Sequence, residues 1–314
     1  MTETLPAAYG GSGWHARQES HIEDVTCGVW RSLGAPSEVA TLREVVLARP
    51  SAAALAGYDA EELLFVSMPN PERWSACAAA LGHVYERFGV TVHWADSCGS
   101  NASANFVFQR DLFFRTPEGA ILGRPASRQR AVEARWAAAT LAALGVPILA
   151  IPRGCALFEC ADALWLDPRT VLVGIGARTD VDGFAFVAAV LNELGVRAVP
   201  IELPGHVQHL LGILNFVDTD LAVVRRCSAF DAVSDVLSAA GVAVIEYAEC
   251  SQANAPLEMN FVTLAPRRVL MDASGRTLTD QLTAAGIEVV PFDASEYGKA
   301  AGGLACASGI LRRA

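Results

Sequence analysis

The sequence predicts an α/β protein folded as a five-bladed α/β propeller, with five ββαβ units around a pseudo-fivefold axis. Five segments of small apolar residues with helical periodicity recur along the chain. Each segment ends at a glycine, where a helix commonly needs a left-handed residue, and each glycine is followed by a β-branched strand sequence. The glycines are 45 to 56 residues apart, so the repeated unit has about 50 residues.

The elements follow in chain order from this pattern. The predicted helices cover residues 72–88, 133–144, 183–194, 230–240 and 277–285. The glycines that end them are Gly89, Gly145, Gly195, Gly241 and Gly286. Strand-forming sequence precedes the helices at 43–49, 111–124, 163–176, 221–225 and 260–271, and a further strand follows each glycine. Each unit therefore contains two strands, a helix and a third strand.

The paired strands ahead of each helix favour a repeat over an ordinary α/β sheet, whose units also alternate strand, helix and glycine. Five similar units, none of which buries its apolar face alone, close most simply into a ring with the helices outside and a central cleft. We expect one catalytic domain over residues 37–314. An irregular N-terminal extension or lid, residues 1–36, is expected to precede it.

The composition argues against several classes of protein. The chain has 314 residues, with 34 acidic against 24 basic residues and a formal charge of −10. This balance argues against a nucleic acid or an anionic membrane as the main partner. Lys299 is the single lysine and is followed by Ala300, so the sequence has no P-loop, and a lysine Schiff base is disfavoured. No apolar run is long enough to span a bilayer.

Eight cysteines are spaced irregularly, and the first twenty residues lack the apolar core of a secretion signal. The cysteines are Cys27, Cys77, Cys98, Cys155, Cys160, Cys227, Cys250 and Cys306. This pattern predicts reduced thiols in a cytoplasmic protein. No Cys-x-x-Cys pair occurs, and His206-Val-Gln-His209 lacks the spacing of a zinc-binding helix, so we expect no metal and no other cofactor.

Several loops place polar residues in apolar surroundings that a ring would bring to its central cleft. The candidates are Asn105, Asp111, Glu159, Asp162, His209 and Cys306. Asn105 and Asp111 are six residues apart, and an extended segment would point both into one cleft. Taken singly, each candidate has a structural alternative, such as a core histidine, a small buried cysteine or an ion pair between Arg110 and Asp111. Their combination favours a site.

The five-unit pattern and the order of these loops resemble the guanidine-modifying enzymes of the pentein superfamily. These are arginine deiminases, arginine dihydrolases, dimethylarginine dimethylaminohydrolases and amidinotransferases. The resemblance runs from about Ser37 to Arg312. Asn105-x-x-Phe108-x-Arg110-Asp111 matches the deiminase motif Asn-x-x-Phe-x-Arg-Asp, and the segment 174–179 matches the family's Gly-x-x-x-Arg-Thr.

The resemblance implies a covalent mechanism in which a thiolate attacks the guanidino carbon. It assigns Cys306 as the nucleophile, His209 as the acid and base, and Glu159 as their catalytic partner. It also implies five substrate-binding residues: Asp111, Asn105, Arg178, Arg124 and Asp162. Among these, Asp111 with Glu159 would orient the guanidinium, and the two arginines would hold an α-carboxylate.

Departures from the family pattern bear on the substrate. The usual Glu-Gly-Gly-Asp is Glu159-Cys160-Ala161-Asp162, which makes Cys160 the competing candidate for the nucleophile. The deiminase His-x-Asp is His209-Leu210-Leu211, so a carboxylate is missing there. With a leucine in that place, we expect the pocket to accept substituted guanidines and free arginine to be a poor substrate.

The sequence therefore predicts a hydrolase of non-peptide C–N bonds in arginine or an arginine-like guanidino compound. An amidinotransferase, in which an amine replaces water as the acceptor, is the alternative that the sequence leaves open. A non-catalytic binding protein on the same fold is a third interpretation. The expected partners are a small guanidino substrate and a second copy of the chain in a homodimer, with no nucleic acid and no membrane.

Overall fold

The computed structural model describes residues 5–97, 103–248 and 258–314, in which the strands form five sheets of three strands each. In chain order they are β1 (Leu42–Ala48), β2 (Thr91–Ala95), β3 (Phe113–Thr116), β4 (Gly119–Leu122), β5 (Ile148–Ala150), β6 (Ala163–Asp167), β7 (Thr170–Ile175), β8 (Arg197–Glu202), β9 (Leu214–Asp218), β10 (Leu221–Arg225), β11 (Ala243–Tyr247), β12 (Val262–Ala265), β13 (Arg268–Asp272), β14 (Glu288–Phe292) and β15 (Gly309–Arg313). The sheet orders are β15-β1-β2, β3-β4-β5, β6-β7-β8, β9-β10-β11 and β12-β13-β14. In every sheet the middle strand is antiparallel to one neighbour and parallel to the other. The mixed α/β architecture predicted from the sequence is confirmed.

Helices connect the middle strand of each sheet to its parallel neighbour. The described helices are α1 (His21–Thr26), α2 (Ala52–Leu55), α3 (Pro71–Arg87), α4 (Glu133–Ala143), α5 (Val181–Glu193), α6 (Phe230–Ala239), α7 (Arg276–Ala284), α8 (Ser295–Lys299) and α9 (Leu304–Ala307). Helices α3 to α7 are the crossovers that parallel pairing requires. They match the five predicted helices to within two residues at each end.

Local sequence explains where these helices begin and end. The side chain of Asn70 accepts a hydrogen bond from the Arg73 amide, and Pro71 occupies the first turn of α3. Asp180 caps α5 in the same way, through the Gly183 amide. The five glycines that follow α3 to α7 have φ between 70° and 75°, a conformation that glycine adopts without steric cost.

The first unit is completed by the end of the chain. β15 pairs antiparallel with β1, whereas the sequence pattern identified no partner strand ahead of α3 except 43–49. Because Gly309–Arg313 is short and follows the helical turn α9, it carries too little periodic signal to be assigned as a strand from sequence.

Hydrogen bonds join the units to one another. They run from Trp165 Nε1 to Arg115 O (3.2 Å), from Leu210 N to Asp162 Oδ1 (2.8 Å), from Thr263 Oγ1 to Phe216 O (2.5 Å) and from Arg313 Nη1 to Thr263 O (2.8 Å). These bonds link the second unit to the third, the third to the fourth, the fourth to the fifth and the fifth to the first. β15 and β3 are also in contact, which joins the first unit to the second.

The N-terminal segment packs along the first two units. Its helix α1 begins with a capping box between Ser20 and Glu23. His21 Nε2 hydrogen bonds to Glu118 O at 2.8 Å, and the Arg31 amide donates to Gly145 O. Within the described ranges, no helix combines the length and the apolar character that a membrane span requires. Six cysteines lie in those ranges and all are free, whereas Cys98 and Cys250 lie outside them.

Candidate active site

Six of the eight predicted site residues line one cavity of about 360 Å³. They are Asn105, Asp111, Glu159, Arg178, His209 and Cys306. All are buried except Arg178, whose side chain is 21% exposed. Leu64, Phe108 and Gly302 contribute apolar wall. The cavity therefore holds carboxylates, cations and a thiol where little water screens them.

Four of these residues lie in or next to the helical turns that precede an outer strand. Asp111 ends a turn before β3, Glu159 precedes the turn before β6, His209 precedes the turn before β9, and Cys306 lies in α9 before β15. Since these four units each present a helical turn ahead of the outer strand, side chains far apart in the sequence meet in one cavity.

Asn105 and Asp111 reach the cavity by a different backbone from the one predicted. We expected an extended segment, whereas the structure has two consecutive 3-10 turns, Ala104–Val107 and Gln109–Asp111. Asn105 Nδ2 donates to Leu63 O at 2.9 Å, which ties the first turn to the loop that carries Leu64.

His209 lies between two carboxylates. Its Nε2 is 2.7 Å from Glu159 Oε2, and its Nδ1 is 3.9 Å from Asp111 Oδ1. Glu159 Oε1 accepts from the Ala126 amide at 2.9 Å and lies 3.7 Å from Arg178 Nη1. Asp111 Oδ1 is buried and has no hydrogen-bond partner among the described residues. That oxygen is available to a ligand donor.

These contacts determine the protonation states of His209 and Glu159. Burial acts to lower the pKa of His209, but the charge of Asp111 and the hydrogen bond to Glu159 outweigh it and raise that pKa to about 9. For Glu159, burial acts to raise the pKa, but the hydrogen bond and charge of His209, with Arg130 and Arg178, lower it to about 2. At neutral pH the pair is therefore imidazolium and carboxylate.

We expect the raised pKa of His209 to make the free energy of unfolding fall as pH rises from 6.5 to about 9. A group whose pKa is raised by folding contributes its full stabilisation below its unfolded pKa and loses it as pH passes the folded pKa. The contribution should be about 3 kcal/mol. Urea unfolding of the wild type and of His209→Gln across this pH range measures it.

The matched control for that measurement is His83→Gln, because the His83 side chain is 78% exposed and pairs with Glu86 on the same helix. The wild type and the control should share one pH slope, and His209→Gln should have a smaller slope. An unchanged slope in His209→Gln would contradict the assignment of the raised pKa to this histidine.

Arg130 also lines the cavity, and the sequence analysis missed it. Its Nη1 donates to Asp111 Oδ2 at 2.5 Å and lies 3.7 Å from Glu159 Oε2, while its Nε and Nη2 donate to Glu133 at 2.9 and 2.8 Å. Burial opposes its charge, but Glu133, Asp111 and Glu159 outweigh burial and raise the pKa of Arg130. The sequence feature that could have indicated Arg130 is its three-residue spacing from Glu133 at the start of α4. The same spacing is equally typical of an ion pair on the protein surface.

Asn260 is a second residue that the sequence analysis did not single out. Its Nδ2 donates to Cys306 Sγ at 2.9 Å, and its Oδ1 accepts from the Cys306 amide at 3.0 Å. Burial and the charge of Asp111 raise the pKa of Cys306 to about 11, although the Asn260 hydrogen bond opposes them. Asn260 therefore fixes the position of a thiol that is protonated at neutral pH.

The glycine pair ahead of Cys306 is required for close packing. A Cβ on Gly302 would lie 2.2 Å from the Phe108 ring, and one on Gly303 would lie 2.7 Å from Asn260 Cγ. The pair lets the backbone approach two side chains of the site. Either glycine replaced by a larger residue would displace Phe108 or Asn260.

Three of the sequence candidates lie outside the cavity wall. Cys160 is fully buried with its Sγ against Ile121 O, and burial together with Asp111 raises its pKa. Asp162 accepts from the Thr179 hydroxyl and the Leu210 amide, and burial raises its pKa to about 7. Arg124 donates to Ala156 O at 3.0 Å. The contacts of Asp162 and Arg124 hold the loops around Glu159.

Leu211 also faces elsewhere, which removes the basis for the expected apolar substituent pocket. Its side chain lines a separate cavity. The reason is local, because the helical turn Leu210–Gly212 begins directly after His209, so positions 209 and 211 do not share a face as they would in a strand.

The spacing of Asp111, Glu159 and His209 would also suit a metal ion, since their ligand atoms lie within 4.8 Å of one another. In the structure each of these three side chains already has a polar partner. Arg130 Nη1 donates to Asp111 Oδ2, and His209 Nε2 shares a hydrogen with Glu159 Oε2, whereas Asp111 Oδ1 has no partner among the described residues. A cation that carries N–H donors fits this arrangement better than a bare metal ion, which would have to displace both contacts.

Comparison with known proteins identifies similar enzymes. The sequence model of the arginine deiminase family matches residues 100–230. An arginine deiminase of Mycolicibacterium gilvum (strain PYR-GCK) is 31% identical over an alignment of 182 residues that covers 48% of this chain and 45% of that enzyme. The match thus spans about half the length of this curated relative.

Solved structures extend the similarity over most of the chain. Dimethylarginine dimethylaminohydrolase from Pseudomonas aeruginosa, complexed with citrulline, has a TM-score of 0.71 at 19% identity, covering 86% of this chain and 99% of that one. The amidinotransferase SxtG of Microseira wollei has a TM-score of 0.74 at 17% identity, covering 90% and 97%. At these identities the similarity establishes a shared fold. Together with the sequence matches, it confirms the predicted resemblance to the guanidine-modifying enzymes of the pentein superfamily.

Proposed function

We propose that this chain is a hydrolase that breaks a C–N bond in the guanidino group of arginine or an arginine-like compound, through a covalent intermediate on Cys306. The observation that carries the proposal is the convergence of Cys306, His209, Glu159 and Asp111 in one buried cavity. The matches to arginine deiminase support the same class of substrate.

The carboxylates account for guanidinium binding. Asp111 Oδ1 is buried without a donor, and Glu159 keeps its charge because its pKa is lowered to about 2. A planar guanidinium that donates to both would gain charge-assisted hydrogen bonds in a weakly screened site. Arg130 already shows that this cavity accommodates a guanidinium against Asp111.

His209 and Cys306 then perform the chemistry. The bound cation favours the thiolate of Cys306, so the thiol releases its proton to solvent, and the thiolate attacks the guanidino carbon to give a tetrahedral adduct. His209 is protonated at neutral pH and donates its proton to the departing nitrogen, which leaves a thiouronium on sulfur. Neutral His209 next removes a proton from water, the resulting hydroxide attacks the same carbon, and the C–S bond breaks to release the product and Cys306.

One arginine of the cavity suits a substrate carboxylate. Arg178 lines the cavity and its side chain is partly exposed, which supports a role in holding the far end of a substrate. We propose Arg178 for the role that the sequence suggested for Arg178 and Arg124, because Arg124 is engaged outside the cavity and Arg130 gives its donors to Asp111 and Glu133. Asn105 lies in the same wall, and its amide oxygen would accept a hydrogen bond from the substrate while its Nδ2 donates to Leu63 O.

An amidinotransferase remains the second candidate, because it needs the same cavity and differs only in the acceptor. The observation that favours it is the TM-score of 0.74 with SxtG. An amine that enters the cavity in place of water would attack the thiouronium carbon, and the same base, His209, would take its proton.

Product analysis tests the proposal. The protein is incubated with arginine, methylated arginines and simple guanidino acids, with and without glycine as the amine acceptor, and products are identified by mass spectrometry. Without an acceptor, we expect one of two sets of products. The first is a ureido compound with ammonia or an alkylamine, and the second is ornithine with ammonia and carbon dioxide. Amidino transfer only in the presence of the acceptor would favour the alternative, and no conversion of any guanidine would contradict both.

We further propose that the five units close into a ring about a pseudo-fivefold axis, with residues 37–314 as one catalytic domain. The hydrogen bonds from each unit to the next, including that from Arg313 to Thr263, support closure. A cytoplasmic location, a homodimeric assembly and a lid role for the N-terminal segment stay predictions.

A further inference from the structure

A second cavity, of about 250 Å³, adjoins the residues of the candidate site. Its wall includes Arg110, Leu211 and Ala305, each one or two residues along the chain from a residue of the first cavity, and the two cavities share no lining residue. All the residues that line this second cavity are buried. The proposed catalytic mechanism uses none of them.

Positive charge exceeds negative charge around this cavity. Arg110 and Arg313 line it, and Arg110 Nη2 donates to the wall carboxylate of Glu38 at 3.1 Å. Arg115 is buried nearby. Burial lowers the pKa of Arg313 to about 9, and the charges of Arg115 and Arg110 act in the same direction while Glu38 opposes them. Among the described residues at this place, three guanidinium groups thus face one carboxylate.

The hydrogen bonds around this cavity leave one donor of Arg313 without an acceptor. Arg313 Nη1 donates to Ala40 O and Thr263 O, both at 2.8 Å, but its Nε is buried and has no partner in the described part of the chain. The polar wall residues Thr263 and Asn215 give their own donors to backbone carbonyls. A buried cationic donor without an acceptor is unfavourable, and an anion in the adjoining space would relieve it.

We propose that the second cavity binds a small monovalent anion, of the size and weak hydration of chloride or bromide, beside Arg313 and Arg110. Such an anion supplies negative charge where three cations share one carboxylate, and it accepts from Arg313 Nε. The apolar wall of Leu211, Phe261 and Ile310 favours an anion that loses its water easily over a strongly hydrated one such as sulfate. The site is independent of the proposed enzymatic function.

Thermal unfolding of the full chain tests this site. At equal ionic strength, sodium chloride or bromide should raise the Tm by about 3 °C relative to sodium gluconate, whose strongly hydrated anion would have to bring several hydroxyl groups against the apolar wall. Arg313→Met should abolish the halide increment. The matched control is Arg312→Met on the same strand, because the Arg312 side chain is 41% exposed and pairs with Glu44 outside the cavity, so this variant should keep the increment.

A measurement on the wild type alone makes the test independent of the folding of Arg313→Met. Crystals of the protein soaked in sodium bromide should give an anomalous peak beside the guanidinium groups of Arg313 and Arg110. Equal Tm values in halide and gluconate would overturn the proposal, and so would bromide peaks confined to the protein surface. A halide increment that survives in Arg313→Met would overturn it as well.

Discussion

Cys306→Ser is expected to lose turnover, to below about one-thousandth of the wild-type kcat/KM, while the protein keeps its fold. The proposed reaction needs a polarisable thiolate, and a serine hydroxyl has a far higher pKa. The sulfur of Cys306 accepts a hydrogen bond from Asn260 Nδ2, a donor that holds the group without removing its proton. Steady-state kinetics on the substrate found by product analysis, with circular dichroism to check the fold, measure the effect.

Cys160→Ala is the matched control, because Cys160 was the competing nucleophile in the sequence. Its thiol is fully buried and lies outside the cavity wall, so we expect near-native turnover. Intact-mass analysis after rapid mixing should find the thiouronium adduct in Cys160→Ala and no adduct in Cys306→Ser. Turnover by Cys306→Ser, or an adduct mapped to Cys160, would move the nucleophile.

Sequence periodicity was sufficient for the mixed α/β fold. The helix from Pro71 to Arg87 begins at an Asn-Pro cap and ends before a left-handed glycine, and both signals are local. β15 was not predicted because its five residues are defined as a strand only by their pairing with β1. A strand defined by a partner 263 or more residues away has no local signature.

The sequence predicted those residues of the candidate site that belong to a motif. It did not predict residues whose role depends on a contact between distant parts of the chain. Asp111, Glu159, His209 and Cys306 lie in or next to the turn ahead of the outer strand in four units, so the repeat itself pointed to one cavity. Asn260 reaches Cys306 across 46 residues, and an asparagine ahead of a strand carries no signal of that contact.

Errors of direction arose where a helical turn replaced an extended segment. The match to the deiminase His-x-Asp motif predicted Leu211 in the substrate pocket, but the intervening turn directs its side chain to the second cavity. The resemblance also implied that Arg124 binds the substrate, and its guanidinium instead donates to the Ala156 carbonyl. Side-chain direction depends on backbone dihedrals that composition and spacing leave undetermined.

Glu159→Gln is expected to lower the free energy of unfolding by about 3 kcal/mol at neutral pH and to lower kcat/KM by about 10³-fold. The buried carboxylate lies among three cationic groups, His209, Arg130 and Arg178. A glutamine keeps the shape and the bond from the Ala126 amide but leaves those charges without their partner. The pKa of His209 should fall, since its raised value depends partly on Glu159, and the proposed acid would then be neutral at pH values where the wild type is active. Urea unfolding, kinetics against pH and the NMR titration of His209 measure the three effects.

The chain offers a matched control in Glu44→Gln, because His93 Nε2 lies 2.7 Å from Glu44 Oε2, the same distance as in the catalytic pair. Glu44 also pairs with Arg31 and lies outside the cavity wall, so its loss removes a comparable histidine–carboxylate contact without touching the substrate. We expect Glu44→Gln to lose stability while kcat/KM and its pH profile stay close to wild type. If Glu159→Gln loses stability alone, with the kinetic pH profile unchanged, then Glu159 is a structural partner of His209 and the guanidinium is held by Asp111. The shift of the pH profile separates the two roles, because only a carboxylate that controls the proton on the catalytic imidazole moves the pH at which that imidazole is a competent acid.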